Sequence, residues 1–435
     1  MALSTQPYKG ARDFYPEDKR LQNYIFGVMH HVARLYGYEE YDAPILEPTE
    51  LYTAKTSNEI VNEQTYSFTD RGGRSVTIRP EMTPSVSRMV AAKRQELAYP
   101  LRWYSIPNVW RYERPQRGRL REHWQLNVDL FGMVGLEAEQ EIIQLADHVM
   151  RAFKAKRDMY SIKINSRRLI HTFVEGVLGL DDVQTTTLIR LIDHLPKMDQ
   201  AEFVGQAEAI LRPSQRTEAK LNQLLAFLKA ASLEDLPSSL RDHESTRQLS
   251  DLLHHLDKAG VTNVQFDPTL MRGFDYYTDV VFEVYDTHPD NNRSMFGGGR
   301  YDGLVGLFGV EPLPTIGFGM GDVTMANFLQ LHDLVPELRA ETEVLVIPIG
   351  DAFSGAQRVA AELRQMGLNT ALGASDQKAD KQIKTALKKG VKYAVFIGSK
   401  ELESEQFVLK DLDANNEESH SLQRIVSIVK DYRER

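Results

Sequence analysis

Two spacings alternate along this chain of 435 residues. Leu21, Ile25, Val28, Val32 and Leu35 recur every three or four positions, which places them on one face of an α-helix. Pro16, Glu17 and Asp18 precede them; a helix favours proline and acids in its first turn. Gly37 ends the run. "YEEYDAPILEP" then reads as a short strand broken by Pro44 and Pro48. "TYSFTD" and "RSVTIR" flank Arg71-Gly72-Gly73 as the arms of a hairpin, and Thr83-Pro84 starts a helix. Residues 101–113 and 123–131 both read as strands. In the second, Trp124, Leu126, Val128 and Leu130 alternate with His123, Gln125, Asn127 and Asp129. One face is therefore core and the other a polar row. A solvated edge strand gives the same pattern.

From about 166 to 260 a leucine-rich helical spacing takes over, with no glycine between Gly205 and Gly260. This predicts a helical insertion. Strand patterns return in "RGFDYYTDVVFEVYD" and "SMFGGGRYDGL", and "PTIGFGMGDVTMANFLQL" reads as a glycine-punctuated strand entering a helix. Residues 336–343 form a polar linker. Beyond it, "EVLVIPI", "AQRVAAELRQM", "NTALG", "DKQIKTALKK" and "KYAVFIG" alternate strand and helix, with a last helix from about 420. That order predicts a small, mainly parallel α/β domain.

Composition narrows the possibilities. Without cysteine the chain has no disulfide, thiolate metal site or cysteine nucleophile. No apolar run approaches the ~20 residues that span a bilayer, and the N-terminus lacks the apolar core of a secretory signal. A cytoplasmic protein is expected. The net charge of −9 argues against a general nucleic-acid coat but leaves room for local basic patches.

The densest such patch is "WRYERPQRGRLREHWQLNVD", with Arg111, Arg114, Arg117, Arg119 and Arg121 between two strands. Guanidinium forks suit phosphate and carboxylate oxygens, so the loop suggests polyphosphate, RNA or both; a solvated loop with surface ion pairs is the alternative. Glu81, just before a helix start, either binds an ammonium group or complements the helix dipole. Tyr276 and Tyr277 suit ligand orientation or core packing. Six lysines in 378–392 form a solubilising face or an RNA contact. No metal cage is evident in the spacing of histidines and acids, and "GGGR" lacks the lysine of a phosphate-binding loop.

Together these stretches resemble the histidyl-tRNA synthetases, class II aminoacyl-tRNA synthetases. "KGARDFYPED" is similar to that family's N-terminal signature, the helix and strand ending at Pro44 to class II motif 1, which forms the dimer interface, and the arginine-rich stretch to motif 2. "MRGFDYYTDVVFEV" and "GGGRYDGLVG" resemble the two histidine-specific signatures. The resemblance implies an α+β fold: a class II antiparallel-sheet catalytic domain over residues 1–335, with the helical insertion at about 166–260, then an α/β anticodon-binding domain over 344–435.

It also implies roles. Glu81, Thr83 and Gln125 would hold the α-ammonium of L-histidine, with Met82 beside them. Asp129 and Tyr277 would read the imidazole, and Tyr276 and Tyr301 would complete that pocket. Arg111 would grip the ATP α-phosphate, Arg119 the outer phosphates, and Arg272 would sit between the histidine carboxylate and the α-phosphate. Arg114, Gln116 and Arg121 would face the tRNA acceptor end. ATP would arrive with Mg²⁺ and no permanent protein metal site; the partners would be tRNA(His) and a second copy of the chain, with no membrane.

Three positions depart from the family pattern. Val323-Thr324 stands where motif 3 has Glu-Arg, whose arginine covers adenine and reaches the γ-phosphate. Asp129 replaces a glutamate, and His123 stands where an aromatic ring stacks on adenine. A non-catalytic relative, the histidine-sensing regulatory subunit of ATP phosphoribosyltransferase, and a pure RNA-binding module therefore stand beside the enzyme as readings.

Overall fold

Helix α1 (Pro16–Leu35) forms where the spacing places it, with Glu17 and Asp18 in its first turn. Ile25, Met29, Val32 and Ala33 are buried, whereas Leu35 is 59% exposed. The buried stripe is rotated slightly from the one read in the sequence. The structure, a computed structural model, describes residues 3–53, 64–115, 118–195, 198–212, 216–271, 276–291 and 293–434. Two compact units divide at Val335 and Pro336.

The "YEEYDAPILEP" stretch yields two short strands in different sheets. β1 (Glu39–Glu40) joins the main sheet, while β2 (Leu46–Pro48) joins β3 (Tyr66–Thr69) and β4 (Ser75–Ile78) in the order β2-β4-β3. Antiparallel pairing of β3 with β4 is the expected hairpin. Helix α2 (Thr83–Ala92) follows, its N-cap being Met82 rather than Thr83, a shift of one residue.

The main sheet is built around β7 (Glu122–Phe131). β5 (Leu101–Ser105) and β12 (Thr315–Gly321) flank it, and β6 (Asn108–Trp110) pairs with its first residues. Helix α3 (Glu137–Ala152) leads to β8 (Tyr160–Ser166). β9 (Val264–Phe266), β10 (Val280–Asp286) and β11 (Ser294–Arg300) complete the order β1-β5-β7-β12-β11-β10-β8-β9 among the described residues. Apart from β1 with β5 and β8 with β9, the pairings are antiparallel. Leu126, Val128 and Leu130 of β7 and Ile316, Phe318 and Met320 of β12 share one core with Ile142, Ala146 and Val149 of α3. Each such fully buried large side chain contributes ~1.5–3 kcal/mol.

The segment between β8 and β9 is helical. It includes α4 (Asp182–His194), α5 (Gln200–Leu211), α6 (Thr217–Leu228) and α7 (Glu244–Lys258). Leu188, Phe203, Phe227 and Leu252 are buried in the same continuous core as the sheet, so these helices do not rely on a separate core. Helix α8 (Asp322–Leu331) follows β12.

The second unit has β13 (Val344–Pro348), α9 (Phe353–Gln365), β14 (Thr370–Leu372), α10 (Ala379–Lys388), β15 (Tyr393–Ile397), β16 (Phe407–Asp411), β17 (Asn416–His420) and α11 (Leu422–Glu434). Its sheet order is β14-β13-β15-β16-β17. Only the first half is parallel; β15, β16 and β17 pair antiparallel, which corrects the mainly parallel reading. β17, "NEESH", is charged and largely exposed. Edge strands tolerate that composition because charge discourages further pairing, and the apolar pattern therefore hides it. No described helix is long and apolar enough to cross a membrane.

Candidate active site

The polar row of β7 faces a cavity of about 280 Å³. Its floor is made by glycines. Gly317, Gly319 and Gly321 of β12 lie directly opposite Asp129, Asn127 and Gln125, and Gly297 on β11 pairs with Gly319. A Cβ on Gly317 would stand 2.5 Å from both the Asp129 Oδ1 and the Val128 carbonyl oxygen; one on Gly319 would stand 2.1 Å from Gln125 Nε2. The strand alternates absent side chains over the cavity with Ile316, Phe318 and Met320 in the core.

One end of the cavity is acidic and phenolic. Asp129 is 3% exposed and accepts hydrogen bonds from the Tyr301 hydroxyl and, at 3.4 Å, the Tyr41 hydroxyl. Burial raises its carboxyl to about 7, outweighing the two hydroxyls, which lower it. Glu81 is 2% exposed and accepts from the Tyr276 hydroxyl at 3.2 Å. Its place in the cavity wall goes beyond complementing the dipole of α2. The rings of Tyr276, Tyr277 and Tyr301 meet with centroids 5.0–6.5 Å apart, so packing and orientation are combined. Gln125 donates to Asn127 Oδ1 at 2.8 Å, and Thr83 lies in the same wall.

The other end is basic. Arg111 is aimed by a hydrogen bond from Nε to the Pro80 carbonyl at 2.9 Å. Arg119 lies 3.6 Å from Glu113 with its side chain 61% exposed. His123 is pushed down to about 3 by burial first, then by Arg111 and Arg12, which keeps the imidazole neutral and able to stack. Thr324, at the start of α8, donates to the Gly321 carbonyl at 3.0 Å.

Several expected residues lie elsewhere. Met82 is fully buried under Arg79, 3.9 Å from its Nη1, and does not line the cavity. Arg121 is turned inward: 9% exposed, its guanidinium lies 3.9 Å over the Tyr112 ring and donates to the Glu113 carbonyl and the Tyr8 hydroxyl. Its guanidinium is thus taken up by Tyr8, Tyr112 and Glu113. Arg114 is exposed on the loop. Gln116 and Arg272 lie outside the described residues. Arg300 of "GGGR" is buried against Glu139 rather than offered to a ligand.

The family model described as Histidyl-tRNA synthetase matches residues 10–322, and one described as Anticodon binding domain matches residues 343–432. The chain belongs to the histidyl-tRNA synthetase family. A Histidine--tRNA ligase of Leptospira biflexa is 42% identical, covering 99% of this chain and 98% of that protein. One from Thermoplasma volcanium is 36% identical over 98% of this chain and 99% of its own length. The fold is that of the histidyl-tRNA synthetase structure from Nostoc sp., with a TM-score of 0.83 at 22% identity, covering 99% of this chain and 100% of that one. The antiparallel sheet is thus a class II synthetase catalytic domain, and the second unit is the family's anticodon-binding domain.

Membership also clarifies what the sequence reading missed. The glycine floor was legible in "IGFGMG" as glycine at every second position of a strand. Tyr41 and Glu283, which touch Asp129 and the cavity respectively, carried no such signal.

Proposed function

We propose that this chain activates L-histidine with ATP in the β7 cavity and transfers it to the 3′ end of tRNA(His). The histidine carboxylate attacks the α-phosphorus in line and pyrophosphate leaves. A ribose hydroxyl of the tRNA then takes the histidyl group from AMP. Such a site works by positioning reactants and neutralising charge, not by forming a covalent bond to the protein. The observation that carries this reading is the juxtaposition of a buried carboxylate–tyrosine end and an arginine end on one sheet face.

At the first end, Glu81, Thr83 and Gln125 hold the α-ammonium. Asp129, bonded to Tyr301, reads the imidazole together with Tyr277 of the same cavity wall. An apolar competitor would cover that buried carboxyl without offering it the donor that imidazole brings, and such mismatches give strong discrimination. At the second end, Arg111 holds the α-phosphate, Arg119 the outer phosphates and His123 the adenine face. Arg272 completes the bridge between carboxylate and phosphate. Mg²⁺ carried by the nucleotide would help neutralise its phosphates and would take oxygen ligands, and Glu113 and Glu283 are among the carboxylates of the cavity wall. A cytoplasmic homodimer completes the proposal. The exposed apolar Leu35 lies in the segment ending at Pro44 that resembles motif 1, and the exposed Ile45 and Leu46 follow it directly.

Histidine-dependent exchange of pyrophosphate into ATP, screened over all twenty amino acids, tests the reading. Histidine alone should support exchange. Histidine binding without exchange would instead favour a sensing role of the regulatory-subunit kind.

A further inference from the structure

Where motif 3 would carry an arginine at the outer end of the nucleotide site, this chain has Thr324. We propose that Arg293 supplies the cation there, binding the terminal phosphates of ATP and then the leaving pyrophosphate; this deepens the reading above and rests on it. Gly118 lies on the cavity wall with Thr324 and Ser294. Around the point where a Gly118 Cβ would stand, the nearest atoms are Asn327 Nδ2 and Thr324 Cγ2 at 3.7 Å and Arg293 Nη1 at 4.0 Å. The Arg293 guanidinium and the Thr324 side chain therefore converge on one spot, Arg293 from just before β11 and Thr324 from the first turn of α8. Gly118 leaves that spot clear by having no side chain.

The base of this arm is fixed. The Arg293 carbonyl accepts from the Asp286 backbone N–H at 3.1 Å. Asp286 is itself buried and bonded to His332 at 2.8 Å and Asn291 at 2.7 Å. Ser294, the next residue, begins β11 and lines the cavity. An anchored backbone carrying an exposed, forked cation suits a ligand that arrives and leaves with each turnover.

Three other arginines lie near this end of the site, Arg12, Arg111 and Arg119. Arg12 pairs with Asp322 at 2.8 Å and lies 4.7 Å over the Phe14 ring, holding the N-terminal segment against α8. Arg111, aimed through Pro80, and Arg119, 3.6 Å from Glu113, serve the α- and outer phosphates in the reading above, and Arg293 adds a guanidinium beside them.

The test compares wild type, Arg293→Ala and the double variant Arg293→Ala/Thr324→Arg in ATP–pyrophosphate exchange and in ATP synthesis from pyrophosphate and histidyl-adenylate. A charge-assisted contact predicts that Arg293→Ala raises KM for ATP and for pyrophosphate about 10- to 100-fold. KM for histidine should stay within about twofold, as for a contact that the amino acid does not make. Binding of a non-hydrolysable histidyl-adenylate analogue, which lacks the terminal phosphates, should not change. The double variant should recover affinity for both phosphates. Unchanged KM for ATP and pyrophosphate, or an equal loss of affinity for the analogue, would overturn the assignment. Absence of exchange in wild type would remove the underlying reading instead.

Discussion

Asp129 has its carboxyl near neutrality because it is enclosed by protein and only partly compensated by Tyr301 and Tyr41. Its ordinary value is 3.8 and its folded value about 7, so the folded chain binds the proton more tightly than the unfolded chain. The stability that this residue contributes is complete below the unfolded value and is lost as pH rises through the folded one. Asn cannot ionise. Melting curves of ligand-free protein between about pH 5 and pH 8 should show Asp129→Asn gaining steadily on wild type, with the largest advantage at the alkaline end. The same variant should need about tenfold or more additional histidine for exchange. Melting temperatures that run parallel across this range would show that the carboxyl titrates normally. The polar row that presents Asp129 was legible as alternation, but its proton affinity was not, since that depends on Tyr41 and Tyr301 arriving from distant parts of the chain. The arginines teach the same lesson. Arg111, Arg119 and Arg121 look equivalent in the sequence, yet two line the cavity and the third is stacked on Tyr112. Side-chain type showed the chemistry available, and the local backbone decided which copies use it.

β12 turns a strand into a floor by leaving out side chains on one face. The cost of replacing one depends on what the new methyl meets. At Gly317 it meets the Val128 carbonyl and the buried Asp129 carboxyl, both at 2.5 Å, and the backbone atom cannot move without the sheet. At Gly319 it meets the Gln125 side chain, which can swing away. Gly317→Ala should therefore lose about 1–3 kcal/mol of stability, the range for overpacking a filled site. Gly319→Ala should lose less while raising KM for histidine through displaced Gln125. Denaturant titration and exchange kinetics on the two variants separate these effects; equal stability losses would mean that β12 relaxes as a unit. Among the elements, the strongly periodic ones were legible: α1, β7 and the strand-to-helix step at β12. The β16–β17 hairpin escaped because its outer strand alternates nothing apolar. The insertion was recognised as helical, but not that its helices share the sheet's core, because periodicity identifies a buried face without naming what covers it.

Across the whole chain the charge is −9, so an RNA partner must be met by local fields rather than by the average surface. Helix α10 provides one. Lys381, Lys384 and Lys388 lie three and four residues apart, which puts them on one face, and with Lys378 and Lys389 they are exposed. The sixth lysine of this stretch, Lys392, is drawn instead to Asp411 and Asp413, at 3.1 and 3.0 Å. Gln382 and Ala386 fix the helix from its buried side, so the lysine face can be altered without opening the core. This helix belongs to the unit matched as an anticodon-binding domain, where phosphate contacts would supply affinity and a salt dependence proportional to their number. Replacing Lys381, Lys384 and Lys388 together by alanine should weaken tRNA binding and flatten the plot of log affinity against log salt by about 2–3 units of slope. Histidine-dependent ATP–pyrophosphate exchange, which needs no tRNA, should be unchanged. An unaltered salt slope would mean that the face is solvated even in the complex, and that the lysines serve solubility rather than recognition.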